Sequence, residues 1–334
     1  MRKRTTLQDI ANYCNLSKSM VAKVISNPEN CKATVKTKTI VADAVKKLDY
    51  RPNFAAKALS TNRTFTIGIL FPTVNSFYGE LGVQIDAALA KRGYTALFAY
   101  WDGIKDAQQA FIRAFERMRL RGIDGVITCQ YEESIAGAGI PVVTYGNERR
   151  LMDSVYPDKL DYAIRAIHYL VEHGHRHIGF IGFFQDIRYQ QIRNEIEKLE
   201  LPLVPGWFVP IEAYHHYENG YKGMKQILSL PKQPTAILTH SDHVAMGALR
   251  ATNEAGVRVP DDISLLSYDN LCESAYSIPP LTTFDQQYKL GAELLVETLI
   301  RRIENPTLPQ QKRSFTMPLV ERASVKYITP DNRG

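Results

Sequence analysis

The sequence predicts an α/β protein of 334 residues in two unequal parts: an all-helical head near the N-terminus and a larger body of parallel sheets wrapped in helices. Three observations predict it. Residues 1–63 hold 13 Lys+Arg against 4 Asp+Glu, a net charge of +9, which leaves −3 on the other 271 residues. Within that segment apolar residues recur at helical spacing between turn residues. From Thr64 onward, short apolar runs alternate with amphipathic stretches, as strands buried between helical layers do.

The head opens with helix, tight turn, helix. Thr6 caps the first helix and Asp9 three residues on closes a capping box, while Ile10, Ala11 and Cys14 form an apolar stripe. Asn15 tolerates left-handed angles and makes the turn, and Leu16 points back into the core. Ser17 caps a second helix in which Val21, Val24 and Ile25 face inward. Lys18, Ser19, Ala22 and Lys23 are left outside, where a recognition helix meets base edges and phosphates. A third helix, from about Val35 to Leu48 and started near Thr34, completes the core with Ile40, Val41, Ala44, Val45 and Leu48. Asp49-Tyr50-Arg51-Pro52-Asn53 then breaks the helix, since Pro52 biases the residue before it away from helical angles.

Phe54 to Ser60 consists of good helix formers but is too short to be helical alone in water. Ala55, Ala56 and Ala58 would let it pack closely against a symmetry mate, freeing Leu59 to enter a minor-groove base step. A basic segment with such apolar periodicity is an electrostatic footprint for DNA phosphates, since a flexible tail would lack the periodicity.

In the body the expected strands are Thr66 to Pro72, Thr95 to Tyr100, Gly125 to Gln130, Pro141 to Gly146, His177 to Gly182, Thr235 to His240 and Ile263 to Asp269. Helices are expected over Tyr78 to Arg92, Lys105 to Arg121, Leu160 to Glu172, Tyr189 to Leu199, Gly220 to Leu230 and Asp242 to Ala255. So many strands argue for two parallel sheets. Ligands of open α/β sheets sit beyond the carboxyl ends of the strands, so binding residues are sought in those loops.

Other classes are disfavoured. The chain has no P-loop, no His-Glu-x-x-His and no nucleophile elbow, and Gly137-Ala138-Gly139 leads into a strand rather than a helix. No catalytic residues, cofactor or metal are therefore expected. His173, His175 and His177 alternate like ligands but lack an acidic second shell. Cys14, Cys31, Cys129 and Cys272 are far apart and read as reduced thiols. Met1-Arg2-Lys3-Arg4 is followed by Thr5, Thr6 and an amphipathic helix, so neither an export signal nor a membrane span is expected, and the expected location is cytoplasmic.

The helix-turn-helix, then Tyr50-Arg51-Pro52-Asn53, then Ala56 and Leu59, resembles the headpiece and hinge helix of the lactose/galactose-repressor family of bacterial transcription factors. The resemblance continues through Thr66 to Pro72 with Asn75-Ser76-Phe77-Tyr78, through His173 to Gly182, through Ser241 to Leu249, and through Pro279-Pro280-Leu281-Thr282-Thr283. It implies a helix-turn-helix headpiece over 1–50, a hinge over 51–63 and an effector-binding and dimerisation domain over 64–330. That domain would have the fold of periplasmic sugar-binding proteins, two lobes joined by three crossovers. Lobe 1 would take about 64–157 and 286–313, and lobe 2 about 158–285 and 314–330.

The function implied is a repressor of carbohydrate use that binds double-stranded operator DNA as a homodimer under control of a sugar or related small molecule. Alternatives are a ligand-independent DNA-binding protein, or an effector such as a nucleoside or sugar acid. The implied DNA contacts are Thr6, Ser17, Lys18, Ser19, Lys23, Asn27, Tyr50, Asn53, Ala56 and Leu59. The implied effector contacts are Phe77, Arg188, Ser241, Asp269 and Gln286, and His215 is added from the aromatic, titratable run Tyr214-His215-His216-Tyr217, which either lines the cleft or sits on a helix start. The chain departs from the family pattern at Met20-Val21-Ala22-Lys23, where Thr-Val-Ser-Arg is common, and at Gly146, Ser241 and Asn270, where acidic, Asn and Asp residues are common.

Overall fold

The computed structural model describes residues 5–26, 31–50, 58, 61–101, 106–129, 135, 137–212 and 216–328. The chain divides into two compact units between Thr64 and Phe65.

In the first unit, α1 (Leu7–Cys14), α2 (Lys18–Ser26) and α3 (Val35–Lys47) form a three-helix core of Ile10, Ala11, Val21, Val24, Val41 and Ala44. The capping box is present: Asp9 N donates to Thr6 Oγ1 at 3.3 Å, and Thr6 N donates to Asp9 Oδ2 at 2.8 Å. Asn15 adopts the left-handed conformation at φ 53° and ψ 44°, which lets the chain reverse directly into α2. Thr34 caps α3, accepting from Thr37 N at 3.2 Å. Asn27, Asn53, Ala56 and Leu59 lie outside the described residues.

The second unit carries two six-stranded sheets. The first has the order β11-β5-β4-β3-β1-β2 and the second β12-β10-β9-β8-β6-β7. Their strands are β1 (Thr66–Phe71), β2 (Thr95–Tyr100), β3 (Gly125–Thr128), β4 (Val142–Tyr145), β5 (Asp153–Pro157), β6 (Ile178–Gly182), β7 (Phe208–Pro210), β8 (Ala236–Thr239), β9 (Ser264–Asp269), β10 (Thr282–Asp285), β11 (Lys312–Phe315) and β12 (Leu319–Val320). Every pairing is parallel except β10 with β12. The central strands are buried along their length, because helices cover both faces.

Those helices are α4 (Ser76–Ala90), α5 (Ala107–Leu120), α6 (Lys159–Glu172), α7 (Ile187–Lys198), α8 (His216–Leu228), α9 (Asp242–Glu254) and α10 (Tyr288–Glu304). The chain crosses between the lobes three times: from β5 to α6, from β10 to α10, and from β11 to β12. Because β11 stays on the first sheet to Phe315, the third crossing falls at residues 316–318. Among the described residues no helix is long and apolar enough to cross a membrane.

The expected strands and helices are present with ends moved by at most four residues. The strands β5, β7, β10, β11 and β12 and the helix α10 were not read from periodicity. In β5 the first residue, Asp153, is a buried carboxylate held in a bidentate pair with Arg302 of α10, Nε and Nη2 each at 2.8 Å. Such a strand does not look apolar until its distant partner is in place.

His173, His175 and His177 do not converge on a metal. His173 Nδ1 lies 2.8 Å from Tyr169 O, and the His177 ring meets Trp207 edge-on at 5.4 Å. His175 is fully buried between Thr235 Oγ1 (3.0 Å) and Lys326 O (3.2 Å). Among the described residues no group of three His, Cys, Asp or Glu could hold a metal ion.

Burial pushes the His175 imidazole down to about 4. An unfolded histidine titrates near 6.5, so below that pH unfolding takes up a proton that the native side chain refuses. The contribution is complete above about pH 6.5 and is lost as pH falls to about 4. Stability is expected to drop by on the order of 2–3 kcal/mol over that window from this group. Urea midpoints between pH 7 and 4.5 measure it. His175→Gln should flatten the slope, and an unchanged slope would assign acid sensitivity elsewhere.

Candidate operator face and effector cleft

On the first unit, α2 presents its outer face to solvent. Lys18, Ser19 and Lys23 are exposed on it, with Val21 and Val24 buried behind them. Ser17 is engaged locally, its Oγ accepting from Met20 N at 3.2 Å, and Thr6 is engaged in its capping box. Both hydroxyls sit at helix N-termini, where backbone N–H groups favour an anion. Tyr50 is half-buried against the three-helix core. Two ammonium groups and a hydroxyl on a rigid helix face suit phosphate and base-edge contacts.

In the second unit, a cavity of about 330 Å³ opens between the lobes at the carboxyl ends of the strands. Phe77, Arg188, Ser241, Asp269 and Gln286 all line it; His215 lies outside the described residues, while the neighbouring His216 is in the wall. Asn75 caps α4 by accepting from Tyr78 N at 2.9 Å, which sets Phe77 edge-on to Tyr78 (5.0 Å) and Tyr288 (5.6 Å). Ser241 caps α9, its Oγ accepting from Val244 N at 3.4 Å.

Arg188 is buried and its fork is occupied. Nε and Nη2 bind the two oxygens of Asp186 at 3.0 Å each, Nη1 donates to His240 O at 3.1 Å, and Nη2 lies 2.8 Å from a ring nitrogen of His240. The guanidinium also stacks over Tyr268, 4.6 Å from the ring centre. It therefore contributes charge to the wall in this state more than free donors. Burial alone would raise the Asp186 carboxyl, but Arg188 and Lys159 hold it well below the usual range.

Asp269 is different. Burial first, and then the neighbouring Asp242, push its carboxyl well above the ordinary value, which disfavours the ionised form. It accepts from Gln286 Nε2 at 3.1 Å, and Gln286 Oε1 in turn accepts from Tyr145 OH at 3.1 Å. This chain of bonds ties β9 of lobe 2 to β4 of lobe 1 across a crossover. The lobes also meet where Ser76 Oγ, on α4, donates to Glu273 Oε1 in the short 3-10 turn Cys272–Ala275.

Burial keeps His216, His240 and His243 neutral: His216 is pushed down to about 4, and Arg188 adds to the effect on His240. The His216 Nδ1 and Tyr268 OH atoms are buried without a hydrogen-bond partner, which leaves two polar atoms for a ligand. Reading the sequence did not find Tyr145, Lys159, Asp186, His240 or Tyr268. The signal for Asp186 was local, an Asp two residues before a predicted cationic contact at a helix start. His240 carried none, because it reaches Arg188 across 52 residues.

Comparison with known proteins agrees with this architecture. Residues 6–53 match the bacterial regulatory proteins of the lacI family, and residues 167–325 match a periplasmic binding protein-like domain. The HTH-type transcriptional repressors PurR of Photorhabdus laumondii and of Yersinia pestis are each 30% identical over 335 residues, covering 96% of this chain and 96% of the relative. In fold, the chain is similar to a lac repressor dimer bound to operator and the anti-inducer ONPF, with TM-score 0.78, 22% identity and 97% of this chain and 100% of that chain covered. It is also similar to a complex of the transcriptional regulator CelR with cellobiose, with TM-score 0.70, 24% identity and coverage of 96% and 100%. With a helix-turn-helix head, a two-lobed body and this identity along nearly its whole length, the chain belongs to the lacI family of bacterial regulatory proteins, as a DNA-binding transcriptional repressor and not an enzyme.

Proposed function

We propose that the protein represses transcription as a homodimer on a two-fold operator and that a small ring-shaped molecule, in the first instance a sugar or sugar derivative, sets its operator affinity from the cleft. The observation that carries this reading is the cavity itself. It combines aromatic walls at Phe77, Tyr145 and Phe183 with the buried carboxyl of Asp269 and the unpartnered atoms of His216 and Tyr268. Aromatic faces stack on the C–H surface of a sugar, and a few fixed polar atoms orient its hydroxyls.

In the head, Lys18, Ser19 and Lys23 are assigned to operator contacts, with Thr6, Ser17 and Tyr50 supporting them. Asn27, Asn53, Ala56 and Leu59 complete the assignment from the sequence. For the dimer, the edge strand β2 leaves Phe98 and Tyr100 exposed, and Val74, Val83, Tyr276 and Ile278 are exposed as well. An uncovered edge with apolar side chains is a liability that a second copy of the chain removes.

A second reading, a planar purine-type effector, is favoured by the relatives named PurR together with the aromatic lining. Thermal shift of the full chain against sugars, nucleosides and purine bases, followed by operator titration with each hit, tests both. A hit should stabilise the body and change operator affinity, and Asp269→Ala should abolish both effects. A wild-type response in Asp269→Ala would remove that residue from the site. Sedimentation showing a stable monomer at micromolar concentration would remove the dimer.

A further inference from the structure

The charges at the cleft do not balance. Lys159, at the first crossover, carries a side chain only 16% exposed, with Nζ 2.8 Å from Asn147 Oδ1 and 3.7 Å from Asp186 Oδ2. Asp186 is already bound through both oxygens by Arg188, so one carboxylate serves two largely buried cations. Arg149 adds a third positive charge that bears on Lys159, and its buried Nε has no hydrogen-bond partner. The other nearby acids are engaged elsewhere or disfavoured as ions. Glu148 is engaged by Lys312 and Tyr156, Asp158 caps α6 by accepting from Asp161 N at 3.0 Å, and burial and Asp242 raise the Asp269 carboxyl.

Burial, with repulsion from Arg188 and Arg149 against the pull of Asp186, brings the Lys159 ammonium down to about 8. Burial also pushes the adjacent Cys129 thiol up to about 12, so it supplies no negative charge. Buried charges are ordinarily paired, and an unpaired one is costly.

Resting on the effector reading above, we propose that the effector carries an anionic group, a carboxylate or a phosphate, which completes the charge set of Lys159 and Arg188 inside the cleft. A neutral sugar would leave the excess charge where it is. A sugar acid or sugar phosphate would place its anion against Lys159 while its ring lies between the aromatic walls. A charge-assisted contact of this kind discriminates by about 10- to 100-fold over the neutral counterpart.

The test is calorimetric titration of the full-length protein with several neutral aldoses, their uronic acids and their phosphates, with inorganic phosphate alone and neutral purine bases alongside. At least one anionic sugar should bind at least about 10-fold tighter than its neutral parent. Carboxylate and phosphate arms identify which anion the site takes. In Lys159→Met the advantage should vanish, and Arg149→Gln, which leaves the Lys159 bonds in place, should reduce it. A neutral sugar or base binding as tightly as any anion would overturn this proposal and leave the effector reading intact. Silence from the whole panel would count against both, and an undiminished anion advantage in folded Lys159→Met would overturn the role of Lys159.

Discussion

Gly247→Ala is expected to destabilise lobe 2 by at least about 3 kcal/mol, among the largest effects of any single substitution in this chain. Helices α8 and α9 touch through their glycines. A Cβ at Gly247 would stand 1.9 Å from Tyr217 O and 2.8 Å from Tyr221 N, and one at Gly220 would stand 2.0 Å from Val244 O. These obstacles are backbone, so no side chain can swing away and the helices themselves must part. Parting would loosen the core around Met224, Ile227, Val244 and Ala248. It would also displace His216 and His243, which the same two helices bring to the cleft wall.

Gly79→Ala provides the contrast. Gly79 lies inside α4 with nothing within 4 Å of an added Cβ, so the gain in helix propensity should stabilise by about 0.5–1 kcal/mol. Urea midpoints of the two variants should move in opposite directions. A wild-type midpoint for Gly247→Ala would mean that α8 and α9 are further apart than described.

The head was legible because its information is local. Thr6 with Asp9, and Asn15 at the turn, specify helix ends within a few residues of themselves, and all three act as expected. The strands from β1 to β9 that are plain apolar runs were legible for the same reason. The first strand was legible as an apolar run and the helix after it by its spacing, whereas Asn75 and Phe77 entered only through the resemblance. By contrast, β5 depends on Asp153 meeting Arg302, and β12 is two residues long and paired only through β10. Neither has a periodicity to read.

The cleft was legible by resemblance as a set of single residues, and five of its six expected contacts line one cavity. Their electrical state was not legible. Arg188 reads as a free hydrogen-bonder until Asp186 and His240 are seen to occupy it, and Asp269 reads as an ordinary carboxylate until burial and Asp242 are seen to raise it. The sugar expectation came from the resemblance. The charge excess around Lys159 appears only when residues 147, 149, 159, 186 and 188 are brought together.

Lys18→Ala with Lys23→Ala is expected to cost operator binding about 2–5 kcal/mol while leaving the fold of the head intact. Both side chains are exposed on α2, and the buried residues of that helix are Val21 and Val24, so neither truncation opens the three-helix core. The single variants divide the roles. If Lys18, in the first turn of the helix, reaches a base edge, its loss should relax preference at one or two operator positions and leave the salt dependence nearly unchanged. If Lys23 grips a phosphate, its loss should weaken all sequences alike and reduce the slope of log affinity against log salt by about one. Lysine offers a point charge where arginine would make a bidentate fork, so the phosphate role is the expected one for Lys23. Binding-site selection with each variant, combined with anisotropy titrations across salt concentrations, separates these outcomes. Wild-type affinity and selectivity in the double variant would mean that the outer face of α2 does not meet the operator.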